Sequence, residues 1–121
     1  MEPKECIFCQ IAQGQIRVES VWESEHAIFF RDNEPKARVH ILGIPKEHWE
    51  SLDQVPAEGS LVLAELLNGV QTVARSTGIS KTGYRVITNC GQDAGQQVLH
   101  LHFHILGGEP LGRLLCKPSN S

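Results

Sequence analysis

No stretch of the 121 residues is apolar for long enough to cross a bilayer, and none carries a block of like charge. The first absence argues against a membrane protein. The second, with 11 Lys plus Arg against 14 Asp plus Glu, removes the electrostatic footprint expected of a partner for nucleic acid. The N-terminus carries acidic residues and lacks the apolar core of a secretory signal, so a cytoplasmic location is expected. In that reducing compartment the four cysteines read as thiols or metal ligands and not as a disulfide framework. What is present, 40% hydrophobic residues, suits one packed domain over 1–121 with a C-terminal tail from about 109.

The most informative stretch is Val98-Leu99-His100-Leu101-His102-Phe103-His104-Ile105-Leu106. Leu99, Leu101, Phe103 and Ile105 share one parity and the three histidines the other, the period of a half-buried strand. As a helix the stretch would have no coherent apolar face. The strand reading seals a core with one face and presents three imidazoles in a row on the other. Tolerated histidines are an unlikely product of strand propensity, which does not favour His. Two chemical readings stay open. His100 and His102 at i and i+2 can both ligate one metal ion, as in a metal-dependent hydrolase. His100 and His104, about 13 Å apart along a regular strand, cannot easily join them. Alternatively a neutral imidazole attacks an electrophile such as phosphorus while its neighbours orient it and move protons.

Along the chain, Ile7, Phe8 and Ile11 have helical spacing and Gly14 supplies a stop. Val21-Trp22 and Ala27 to Phe30 read as strands about a polar turn containing a solvated His26. Val39 to Ile44 is a nearly continuous apolar run, as in a strand covered on both faces, interrupted only by His40. Pro56 and Glu58 mark the start of the longest helix. Its expected buried stripe is Leu63, Leu66, Leu67, Val70, Val73 and Ala74, ended by Thr77-Gly78. Leu61 and Val62 widen the apolar surface and suit either a larger core or a second copy of the chain. Tyr84 to Thr88 reads as a strand, and the loop that follows has Gly91 and Gly95, which let backbone N–H groups approach an anion. The fold class is α+β: a mostly antiparallel sheet with one long helix and a short N-terminal helix.

His100-Leu101-His102-Phe103-His104-Ile105-Leu106 resembles the His-φ-His-φ-His-φ-φ signature of the histidine triad (HIT) superfamily of nucleotide hydrolases and transferases. Phe30-Arg31-Asp32, Val39-His40-Ile41-Leu42-Gly43-Ile44-Pro45-Lys46, Gly83-Tyr84-Arg85-Val86-Ile87-Thr88-Asn89, Ala94-Gly95-Gln96 and Leu106-Gly107-Gly108 are similar to its Hint branch. The resemblance runs from about Cys6 to Leu115, and the end, Pro110 to Leu115, is closer to bacterial members than to animal ones.

The resemblance implies a homodimer with an extended sheet and a hydrolase acting on purine nucleoside 5′-phosphoramidates or aminoacyl-adenylate-like compounds. His102 would be the nucleophile, forming a nucleotidyl-histidine. His104 would handle the leaving group's proton, and His100 and His40 would orient the row. N–H groups of Gln97 and Val98 would stabilise oxyanion charge, with Asn89, Gly95 and Gln96 beside them. Ile7, Phe8, Ile11, Phe30, Arg31, Asp32 and Asn33 would hold base and ribose, Asp32 accepting from the ribose hydroxyls. Gln97, Glu109 and Asn33 depart from residues usual in the family, which bears on leaving-group and base preference. A non-catalytic purine-nucleotide-binding adaptor remains the third possibility. Cys6-x-x-Cys9 is by spacing alone half of a zinc site, and two unconnected thiols or a redox pair fit it equally. Some superfamily members pair such a motif with histidines at the places of His48 and His100 and bind a structural Zn²⁺, so the resemblance implies Cys6, Cys9, His48 and His100 as its ligands.

Overall fold

The computed structural model describes residues 5–114. The part of the expected tail beyond 114, with the end of the family resemblance and the fourth cysteine, lies outside the described residues. The elements are α1 (Ile7–Ala12), β1 (Ser20–Glu23), β2 (Ala27–Arg31), β3 (Val39–Pro45), α2 (Ser60–Ser76), β4 (Tyr84–Ile87) and β5 (Phe103–Gly107). The five strands form one antiparallel sheet in the order β1-β2-β3-β5-β4. This is the α+β architecture expected. Among the described residues no helix is long and apolar enough to cross a membrane.

Strand parity assigns the two faces. Phe29, Ile41, Phe103 and Ile105 point to one side, where α2 covers them with Leu66, Val70, Val73 and Ala74. Ile28, Phe30, Leu42 and Ile44 point to the other and meet Phe8, Cys9 and Ile11 of α1. Central β3 is therefore covered on both faces. The first face closes on Phe29, whose ring occupies the space left by Gly43 and Gly69: a Cβ at either would come within 2.3 and 2.4 Å of it. A single turn of 3-10 helix at Ala57–Gly59 precedes α2, and Gly78 at φ 84° ends it in the left-handed conformation.

Three expectations need correction. Leu67 does not belong to the buried stripe: it is 54% exposed. Gly69 takes its place in the helix-to-sheet contact, because only a residue without a side chain admits Phe29. The histidine strand is also shorter than the alternation suggests, since β5 begins at Phe103 and not near Val98. Continuing the β3–β5 register from Gly43↔Phe103 brings Leu101 opposite Pro45, which has no N–H for the ladder. Leu101 N–H bonds the carbonyl of Trp49 instead, at 2.7 Å. With the ladder ended, Leu99 leaves the core face and is 39% exposed.

Candidate active site and metal-binding cluster

β3 and β5 bring His40 and His104 onto the α1 side of the sheet as diagonal neighbours, His40 pairing Leu106 and His104 pairing Leu42. His102 lies just before β5, its ring centroid 5.1 Å from that of His104. His100 departs from the row. Its ring is fully buried beside Cys6, Cys9 and His48. The three histidines thus divide between two centres, one with His102, His104 and His40, the other with His100.

Hydrogen bonds determine where the imidazole protons reside. The carbonyl of His100 accepts from His102 Nδ1–H at 2.7 Å, which leaves Nε2 of His102 with its lone pair. The backbone N–H of Lys36 donates to Nδ1 of His40 at 3.0 Å, so the proton of neutral His40 is on Nε2. That N–H donates in turn to Nδ1 of His104, 2.9 Å away, and places the proton of His104 on Nε2. His102 and His104 therefore carry opposite tautomers. Burial keeps the rings neutral: it lowers the pKa of His102 and of His40, and lowers His104 to about 4 with help from the neighbouring histidines. Thr88 Oγ1 donates to the carbonyl of His102 at 2.7 Å and ties the backbone of His102 to the end of β4.

A cleft of about 750 Å³ opens over these rings. His40, His102, His104, Ile7, Phe8, Asp32, Asn33, Asn89, Gly95, Gln97 and Val98 all line it. An adjoining hollow of about 350 Å³ is lined by Ile11, Phe30 and Arg31, and shares Ile7, Phe8, Asp32 and Asn33 with the cleft. Gln96 lies outside both linings. Its side-chain carbonyl accepts from Gly91 N–H at 2.9 Å and its amide donates to the carbonyls of Glu50 and Val98, bracing the loop that carries Gln97. Gly91 and Gly95 have φ of 87° and 79°, the conformation their freedom was expected to supply. Sequence reasoning missed Glu34, Lys36, Ile87, Leu42 and Leu106 as lining residues. Leu42 and Leu106 could have been found from their parity with His40 and His104. Lys36 had no such signal, because its loop has no period.

Asp32 is held by its own turn, Oδ1 accepting from Glu34 N–H at 2.9 Å, while Oδ2 lies 3.5 Å from His40 Nε2. Asp32, His40 and His104 bring potential ligand atoms within 4.8 Å of one another. The Lys36 amide bond argues against a metal there, because it commits the proton of His40 to the nitrogen that would have to ligate. Glu109 accepts from Arg38 N–H at 2.7 Å and so serves the backbone of the segment leading into β3.

The other centre holds His100 in the tautomer opposite to that of His102. His100 Nε2–H donates to the carbonyl of Pro45 at 2.9 Å, leaving Nδ1 free, and this nitrogen is 3.4 Å from Cys6 Sγ, 3.5 Å from Cys9 Sγ and 3.2 Å from His48 Nδ1. Cys9 Sγ lies 3.1 Å from His48 Nδ1. Four tetrahedral ligands at about 2.0–2.3 Å from an ion lie roughly 3.3–3.8 Å from one another. The two thiols and the Nδ1 atoms of His48 and His100 therefore fit a metal ion. His100 has the carbonyl partner that metal-ligating histidines usually have behind them, whereas His48 Nε2 is buried without one among the described residues. Burial pushes the Cys9 thiol up to about 11, so loading the site would release a proton.

Known proteins resemble this chain over most of its length. A profile for the HIT domain matches residues 13–111. A HIT-like protein of Azospirillum brasilense is 41% identical over 112 residues, 92% of each chain. Among solved structures, a HIT family hydrolase from Clostridium thermocellum superposes with a TM-score of 0.89 at 39% identity, over 93% of this chain and 98% of that one. A histidine triad protein from Clostridium difficile does so with a TM-score of 0.88 at 42% identity and the same coverage.

Proposed function

Because this chain belongs to the HIT domain family, whose solved members include hydrolases, we propose that it cleaves purine nucleoside 5′-phosphoramidates or aminoacyl-adenylate-like compounds to the nucleoside monophosphate. The observation that carries this reading is the pair of opposite tautomers on neighbouring rings, a lone pair on His102 Nε2 and an N–H on His104 Nε2. A nucleophile and an acid are both needed to exchange a group on phosphorus near neutral pH.

His102 Nε2 attacks the α-phosphorus, the bond from phosphorus to the leaving group breaks, and the leaving group takes the proton of His104 Nε2, the negative charge left on His104 being balanced by the positive charge that the bond to phosphorus puts on the neighbouring His102 ring. Water then attacks the nucleotidyl-histidine and gives a proton back to His104, which restores both rings and releases the monophosphate. The N–H groups of Gln97 and Val98, with Asn89 and Gly95, surround the phosphate. Asp32 takes the ribose hydroxyls, and Ile7, Phe8, Ile11, Phe30, Arg31 and Asn33 enclose the base. Residues Cys6, Cys9, His48 and His100 would hold Zn²⁺, whose contribution when bound is structural, pinning α1 to the backbone before β5. The exposed Leu61 and Leu67 of α2 support a homodimer, since large apolar side chains left in water gain from a partner.

Adenosine 5′-phosphoramidate should be converted to AMP by the wild-type chain. His102→Ala should abolish conversion while AMP binding persists, because the nucleophile contributes to the transition state more than to the ground state. Turnover by His102→Ala at the wild-type rate would reject the assignment.

A further inference from the structure

We propose that the Cys/His cluster positions the nucleophile and the base-side wall of the cleft, so that its metal centre and the nucleotide are energetically coupled through Phe8 and His100. The inference rests on the nucleotide reading above and deepens it. Two contacts join the centres, and a third braces the cluster itself. His100 offers its ring to the cluster while its carbonyl, 2.7 Å from His102 Nδ1, holds the nucleophile in the tautomer that frees Nε2. Whatever fixes the His100 ring therefore also fixes the acceptor that aims His102.

Phe8 makes the second connection. It stands between the two cysteines in sequence, so its backbone goes where they go, and its ring lines the cleft. That ring meets His100 edge-on at 5.9 Å and His102 at 5.1 Å. It also packs against Phe30, at 6.0 Å, on the wall of the adjoining hollow. The brace within the cluster is in the backbone. Leu101 N–H bonds the Trp49 carbonyl at 2.7 Å, so the residues immediately after His100 and His48 are tied to each other. A purely anchoring metal would need only the four ligands and would be indifferent to an occupied cleft.

Coupling between sites is reciprocal: if the loaded cluster favours the arrangement that binds nucleotide, nucleotide must alter the loaded cluster. The test uses the full chain loaded with one equivalent of Co²⁺, whose visible absorption reports the geometry of a Cys₂His₂ set, titrated with AMP while calorimetry follows binding. The expected result is a change in the cobalt bands that saturates with the calorimetric isotherm. In Phe8→Leu the same cobalt stoichiometry should remain and the change on AMP binding should be at least halved. His100 carries the residual connection. Global stabilisation by ligand cannot produce this signal, since the cobalt protein is folded and fully loaded from the start. AMP that binds without moving the bands overturns the coupling and leaves the nucleotide reading standing. AMP that does not bind overturns the nucleotide reading, and the coupling with it.

Discussion

His104→Ala should slow hydrolysis by a factor that depends on the leaving group, and this dependence follows from the proton chain beginning at Lys36. The Lys36 amide holds the proton of His40 on Nε2, and His40 gives its hydrogen bond to Nδ1 of His104 at 2.9 Å, so the remaining proton of His104 is on Nε2. Removing a general acid costs about 10²–10⁴ in rate, or about 3–5 kcal/mol of transition-state stabilisation. His40→Ala leaves His104 in place but deprives its Nδ1 of a donor, and one unmade buried hydrogen bond costs about 1–3 kcal/mol, a factor of about 5–150. The two losses should rank in that order for an alkylamine phosphoramidate, which departs poorly without a proton. For a nitrophenyl ester of the same nucleotide, which departs as a stable anion, both should shrink by tenfold or more. The assay is steady-state kcat for the two substrates with wild type, His40→Ala and His104→Ala. Equal losses on both substrates would refute proton donation by His104 and leave it a phosphate-contacting group.

Metal analysis of protein purified without added metal should find close to one zinc per chain. Cys6→Ser and His48→Ala should each lower both zinc content and Tm, whereas metal-free wild type with unchanged Tm would remove the site. The Ser24, His26 and Glu65 cluster should impose a pH profile on stability. Hydrogen bonds from Ser24 and His26 hold Glu65 at about 2, below its ordinary 4.5, so its contribution is complete above that value and lost as pH falls towards 2. Glu65 raises His26 above 6.5, so that contribution is complete below 6.5 and lost as pH rises through the raised value. Glu65→Gln should therefore depress Tm most between about pH 4.5 and 6.5, and less in high salt because His26 is half exposed. A Tm deficit independent of pH would show that the carboxylate's charge does not matter.

Much of this was legible in the residues. Alternation located the histidines and the core face of β5, the apolar run located a strand covered twice, and glycines located the ends of α1 and α2. What parity cannot reveal is how far a ladder runs. Pro45 opposite Leu101 ends β5 early and lets His100 turn to the cysteines, which converts an apparent row of three into two centres. Helical spacing likewise marked Leu67 and overlooked Gly69, because hydrophobicity does not register a position whose value is having no side chain. The tautomers were out of reach for a related reason. The donor that sets His40 is a backbone N–H of Lys36, present at nearly every residue and aimed only by the fold.

The central claim is that His102 Nε2 becomes bonded to phosphorus during turnover. Wild-type protein mixed with a radiolabelled adenosine 5′-phosphoramidate, quenched within the first turnover under alkaline conditions that preserve phosphorus–nitrogen bonds, and digested for peptide mass spectrometry measures this directly. The account predicts a peptide whose adenylyl group is on His102, formed and lost at rates consistent with kcat. Full turnover with no adenylated peptide at any time, or an adduct on His104 or on any residue other than His102, would contradict it.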